Sequence, residues 1–180
     1  MIVKINKLKN FGIYQNFVWN QLDKFKKENL IYGWNYSGKT TLSKQLAAHY
    51  KTDVVVEFSR AYAEEKLKQN HVLTKEDVLP IAFGQMALEN KLAKTCNKLL
   101  ICDTDLLETK VYSEAYYSGF CPPELKKYAQ ENKYDLYFLT YIDTPWKADG
   151  LRDKPNERET MFQAFQEVLV VHKKSYVLLK

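Results

Sequence analysis

The chain has 180 residues, of which 46% are apolar and 14% aromatic. That is the size of one α/β domain, with enough apolar surface to bury a core and exclude disorder as the general condition. No apolar run approaches the roughly 18 to 20 residues of a membrane span, and the opening MIVKINKLKN carries no signal-peptide pattern. The expectation is a cytoplasmic protein with no membrane partner.

The net charge of +5 is unevenly placed. Residues 1–51 hold 9 Lys and 2 acids, a balance of +7, while residues 52–180 hold 18 basic and 20 acidic side chains. Any affinity for nucleic acid would belong to the basic N-terminal segment, although such a run is more often a solvated face. Cys96, Cys102 and Cys121 are odd in number and lack metal spacing, and His49, His71 and His172 are scattered, so reduced thiols and no structural zinc are expected.

In chain order, Met1 to Trp19 alternates partly between apolar and polar residues around Asn10-Phe11-Gly12, which predicts a β-hairpin. A Lys-rich link leads to a short apolar strand, Asn29 to Gly33, then a glycine-containing turn and a helix from Lys39 to Tyr50. Asp53 to Glu57 reads as a buried strand, Arg60 to Gln69 as a helix, and Thr74 to Asn97 as a longer helix containing Pro80. Thr74 and Asp77 have capping-box spacing. Leu99 to Cys102 is the next strand, followed by helices Asp105 to Tyr117 and Pro122 to Asn132, a strand Asp135 to Ile142, a helix Glu157 to His172, and a strand Tyr176 to Leu179. Strands alternating with helices imply right-handed crossovers and a parallel sheet covered on both faces. The expected organisation is a single domain over 1–180, with a hairpin and link at 1–28. The core at 29–180 is expected to stop short of a last loop and helix.

Gly33-Trp34-Asn35-Tyr36-Ser37-Gly38-Lys39-Thr40 fits G-x-x-x-x-G-K-[ST] at every fixed position and falls between a predicted strand and a predicted helix. Such a loop turns backbone N–H groups toward phosphate oxygens at a helix N-terminus, where unpaired donors and the helix dipole both favour anions. Gly33, Asn35, Tyr36, Ser37, Gly38, Lys39, Thr40 and Thr41 form the expected nucleotide-binding set. Lys39 would reach the β- and γ-phosphates of ATP, and the Thr40 hydroxyl would ligate Mg²⁺.

The remaining chemistry should lie at the carboxyl ends of the other strands. One strand runs into Asp103-Thr104-Asp105, with Asp103 suited to Mg²⁺ handling or general base work. Another runs into Glu57-Phe58-Ser59-Arg60, a carboxylate close to an arginine, and Glu57, Asp103 and Asp105 all stay open as the general base. The alternatives are that Asp103 or Asp105 caps the next helix and that Glu57 pairs structurally with Arg60. A loop after the fourth core strand holds Trp146, Asp149 and Arg152. An indole can stack on an aromatic cation, a carboxylate can hold hydroxyls, and an arginine can offset charge on a transferring phosphoryl group.

Glu57-x-x-Arg60-x-Tyr62, Asp103-Thr104-Asp105 and Thr144-Pro145-Trp146-x-x-Asp149-Gly150-Leu151-Arg152 occur in the order found in the ribosylnicotinamide kinase domain of NadR-type proteins, which the chain resembles over about residues 36–180. The resemblance implies a P-loop NTPase three-layer fold with a parallel five-stranded core. It also implies transfer of the γ-phosphoryl of ATP to the 5′-hydroxyl of nicotinamide riboside in NAD biosynthesis. By that resemblance Trp146 stacks on the nicotinamide, with Asp149, Asp105, Glu57 and Arg60 toward the riboside. Arg152 belongs to a lid, Lys39 and Thr40 hold phosphate and Mg²⁺, and Asp103 is the metal-linked carboxylate or the base. A second resemblance runs the other way: Ile5 to Gly12, with Leu30 to Asn35, is similar to the start of RecF- or SMC-like ATPases. It implies an ATPase fragment acting in DNA maintenance. The signature S-G-G motif of those ATPases is missing, and the third core strand ends in Asp-Thr-Asp where theirs ends in Asp-Glu.

Overall fold

Strand residues of this chain alternate sides with unusual regularity. Leu30, Leu100, Cys102, Tyr137 and Leu139 pack into one buried cluster, whereas their immediate neighbours Ile31, Leu99, Ile101, Leu136 and Phe138 pack into another. Adjacent residues of a strand project to opposite faces, so apolar residues at every position produce a sheet buried on both sides. A computed structural model describes residues 7–8, 17–18, 28–33, 38–96, 99–143, 145 and 155–180, and shows that sheet.

Its strands are β3 (Glu28–Tyr32), β4 (Val54–Val55), β5 (Leu100–Cys102), β6 (Leu136–Thr140) and β7 (Tyr176–Leu179), in the spatial order β4-β5-β3-β6-β7. All pairs are parallel: Asn29 stands opposite both Ile101 and Leu136, and Leu139 opposite Leu178. Before them, β1 (Lys7–Leu8) pairs antiparallel with β2 (Phe17–Val18), in keeping with the hairpin expected there. The turn expected around Asn10-Phe11-Gly12 lies outside the described residues.

One face of the sheet is closed by α1 (Lys39–Tyr50) through Leu42, Leu46 and Ala47. The other is closed by α3 (Val78–Ala93), α4 (Leu106–Tyr116), α5 (Pro123–Glu131) and α6 (Arg158–Val171). Phe165 of α6, fully buried, meets the Tyr112 ring of α4 edge-on at a centroid distance of 5.5 Å. The central strand β3 is flanked by strands that leave it in opposite directions along the sheet. The crevice beyond its carboxyl end is therefore where such folds place ligands.

Three elements differ from the pattern expected of the sequence. The stretch from Thr74 is not one helix: Lys75–Asp77 form a 3₁₀ turn, and α3 begins at Val78 and ends at Ala93. Pro80 is thus the third residue of α3, where its missing N–H falls among donors that have no intrahelical partner. The predicted strand 53–57 shrinks to Val54–Val55. Helix α2 (Phe58–Lys68) starts two residues earlier than its apolar spacing suggests, with Glu57 as its N-cap residue.

Candidate active site

The phosphate-loop motif begins on Gly33 at the end of β3 and enters α1 through Gly38, whose φ of 80° is left-handed and favours glycine. Gly38 accepts the Leu42 N–H at 2.9 Å, so the helix is hydrogen-bonded from its first turn. Lys39 and Thr40 follow at once. Trp34, Asn35, Tyr36 and Ser37 lie outside the described residues, while Thr41 is exposed on α1.

Lys39 is buried, and its ammonium bonds to the carboxylate of Glu108, a fully buried residue in the first turn of α4. Burial works against the ammonium charge, but Glu108, then Asp103 and Glu57, outweigh it and hold Lys39 above the usual lysine range. The Glu108 carboxyl feels the converse: burial pushes it up while Lys39 opposes.

Strand β5 delivers Asp103, which is 2% exposed and whose N–H donates to Val55 O at 2.9 Å. That bond locks the ends of β4 and β5 together. Burial raises the Asp103 carboxyl, against the pull of Lys39 and a hydrogen bond with the Thr40 side chain. Its Oδ1 is buried without a hydrogen-bond partner among the described residues. A hydroxyl and an orphaned carboxylate oxygen side by side are hard donors of the kind Mg²⁺ prefers. Mg²⁺ typically takes one or two carboxylates, completing its shell with water and phosphate.

Asp105 has a different place from the substrate contact expected of it. It is fully buried at the N-cap of α4, accepts the Glu108 N–H at 2.8 Å, and is absent from the wall of the cavity described below. Burial pushes its carboxyl up to about 7 despite that bond. This is the capping role that the sequence held as the alternative.

A cavity of about 390 Å³ opens beside these strand ends, between α2, α3 and α4. Glu57, Ser59 and Arg60 line one side, Gln85 and Ile81 another, and Thr104, Tyr112 and Tyr116 a third. Its volume lies in the range of small-molecule sites, and its mostly apolar wall carries a few polar groups, as such sites do. Glu57 accepts the Ser59 hydroxyl at 2.7 Å and stands 4.0 Å from Arg60 Nε. Gln85, 1% exposed, accepts the Phe58 N–H at 2.9 Å and leans its amide nitrogen toward Thr104 O at 3.5 Å. It thereby caps α2 from outside, since Glu57 supplies no side-chain cap. Phe58 packs on Gly84, the residue before Gln85.

The structure therefore brings Lys39, Thr40, Asp103, Glu57 and Arg60 together and sets Asp105 apart as a cap. Trp146, Asp149 and Arg152 lie outside the described residues. Sequence reasoning missed Glu108 and Gln85. Asp105-Leu106-Leu107-Glu108 has the spacing of a capping box, which marks Glu108 as a first-turn residue. No local pattern marks Gln85.

A phosphate loop on the central strand of an all-parallel sheet, with a carboxylate at the end of the neighbouring strand, defines a P-loop protein of the kinase type. The chain belongs to the family described as AAA domain, whose model matches residues 30–180. It is 32% identical over 147 residues to the trifunctional NAD biosynthesis/regulator protein NadR of Salmonella typhimurium, an alignment covering 81% of this chain and 35% of that protein. The chain thus spans about a third of the length of that relative. Among solved structures, a NadR protein in complex with NR superimposes with a TM-score of 0.70 at 20% identity, over 86% of this chain and 44% of that one. A deoxyadenosine kinase from M. mycoides with bound dATP superimposes with a TM-score of 0.57 at 16% identity, over 86% and 90% respectively. At those identities the structural likeness speaks for the fold. No described helix is long and apolar enough to cross a membrane.

Proposed function

We propose that this chain is an ATP-dependent phosphotransferase that phosphorylates nicotinamide riboside to nicotinamide mononucleotide in NAD biosynthesis. The observation that carries the proposal is the cavity walled by Glu57 and Arg60 next to Lys39, Thr40 and Asp103. The 32% identity to NadR supports the choice of substrate. A pyridinium cation suits a pocket with tyrosine rings and a carboxylate in its wall, and would be poorly served by a cluster of lysines.

Of the three carboxylates the sequence left open as base, Glu57 alone lines the cavity. Asp103 faces Thr40, and Asp105 is spent on its cap. Glu57 is therefore assigned to the acceptor hydroxyl. That oxygen forms a bond to the γ-phosphorus, the bond to the β-phosphate bridging oxygen breaks, ADP leaves with the electron pair, and the hydroxyl proton passes to Glu57. Lys39 holds phosphate oxygens. Thr40 and Asp103 would hold Mg²⁺, which when bound neutralises charge on the phosphates. Trp146, Asp149 and Arg152 are assigned to nicotinamide, riboside and lid by resemblance alone.

The test is product analysis. Incubation with Mg-ATP and nicotinamide riboside should give the mononucleotide and ADP in equal amounts. Lys39→Ala should abolish turnover, and Glu57→Gln should lower kcat by about 10² to 10⁴ with ATP binding retained. Turnover that ignores the riboside and requires DNA would overturn the assignment in favour of the ATPase reading.

A further inference from the structure

Lys39 and Glu108 are 69 residues apart in sequence, yet their side chains form a buried ion pair. Glu108 is 0% exposed, and its second carboxylate oxygen has no hydrogen-bond partner among the described residues. Its backbone is fixed too, because its N–H is the donor to the Asp105 cap in the first turn of α4. A carboxylate rooted there cannot swing to solvent. The lysine side chain, with four methylenes, is the partner free to move. A buried ammonium needs an anion, and leaving one without a partner is strongly unfavourable. Glu108 fills that need.

From this geometry we infer that Glu108 is a positioning residue that competes with phosphate: it pairs with the Lys39 ammonium, and a nucleotide phosphate that takes up Lys39 must displace it. The inference rests on the proposed role of Lys39 at phosphate. Exchange of one anion for another means that nucleotide phosphates bind against a competitor built into the protein. Ligands that lack phosphate meet no such competition. Glu108 thus sets the affinity for phosphorylated ligands without touching them, and it lowers that affinity by favouring the unliganded state. Asp103 and Glu57 also act on Lys39, but more weakly than Glu108.

Glu108→Gln removes the competing charge at nearly constant volume. Calorimetric titration of the full chain with ADP, and with a non-hydrolysable ATP analogue, should show tightening of about tenfold or more. Titration with adenosine should show no change. A substitution acting only on the fold would shift all three ligands alike or weaken them. Unchanged or weaker ADP binding by a folded Glu108→Gln variant overturns the inference. Should that variant not fold, a crystal structure of the wild type with Mg-ADP decides: Lys39 is expected on phosphate and off Glu108, and retention of the Glu108 pair refutes the exchange. Failure of the wild type to bind ADP or ATP would instead sink the kinase reading itself, and this inference with it.

Discussion

Gly84→Ala should destabilise the protein even though it replaces glycine by the best helix former in the middle of α3. Without a neighbour, the exchange would stabilise a helix by about 1 kcal/mol. Here the new methyl would lie 2.2 Å from Phe58 Cε1, 2.3 Å from Cζ and 2.5 Å from Cδ1. Three ring carbons would sit far inside van der Waals contact, and the ring is tethered, because the Phe58 N–H is bonded to Gln85 on the next position of the same helix. Relief requires displacing the ring from Gly84 and from Tyr62, whose ring centroid is 6.1 Å away. Overpacking of this kind costs about 1 to 3 kcal/mol, so the net effect is a loss of up to about 2 kcal/mol after the propensity gain of about 1 kcal/mol. In a Phe58→Ala background the clash disappears and the same Gly84→Ala change should stabilise by up to about 1 kcal/mol. Urea denaturation of the four proteins in this double-mutant cycle measures both signs. A gain in stability from Gly84→Ala in the presence of Phe58 would refute the packing argument.

Two other outcomes follow from the same region. Gln85→Leu leaves the Phe58 N–H without its acceptor, at a cost of about 1 to 3 kcal/mol. The 3.5 Å approach to Thr104 O contributes little by comparison. Because Glu57 directly precedes Phe58, kcat should fall more than the affinity for ATP, as steady-state kinetics and titration would show. Asp77 accepts from the Thr74 N–H, Lys66 and Tyr62. Burial raises its carboxyl, but these bonds outweigh burial and hold it below the usual range. A folded-state value below the unfolded one contributes stability that is present above about pH 4 and is lost as the pH falls through the folded value. Thermal melts below pH 4 should therefore lose less in Asp77→Asn than in the wild type, relative to their values at pH 7.

The parts of this fold that were legible beforehand are those set by neighbours in sequence. The strand and helix on either side of the phosphate-loop motif, and the Thr74–Asp77 box, depend on residues at most a few positions apart. What escaped was determined at a distance. Helix α2 begins at Phe58 because Gln85, 27 residues away, takes the N–H there. Asp105 and Asp103 look equivalent in the sequence Asp103-Thr104-Asp105. They part company because the chain leaves the sheet between them: Asp103 directly follows β5 and faces Thr40, whereas Asp105 is already the N-cap of α4. The pairing of Lys39 with Glu108 is likewise invisible without the sheet that places α1 and α4 at the same edge.

The strand order carries a consequence for synthesis of the chain. Strand β3 finds its partners only at residues 100–102 and 136–139. On the ribosome, then, the strand that leads into the phosphate loop is made early and waits about 70 to 110 residues of elongation before either edge is covered. A nascent chain halted within α3 would present an apolar, unpaired Leu30-Ile31 strand with nothing to pair it, a template for association and for chaperone capture. All pairings of the five-stranded sheet are non-local, so folding should be slow for its size and should begin in earnest only after β5 and β6 have emerged.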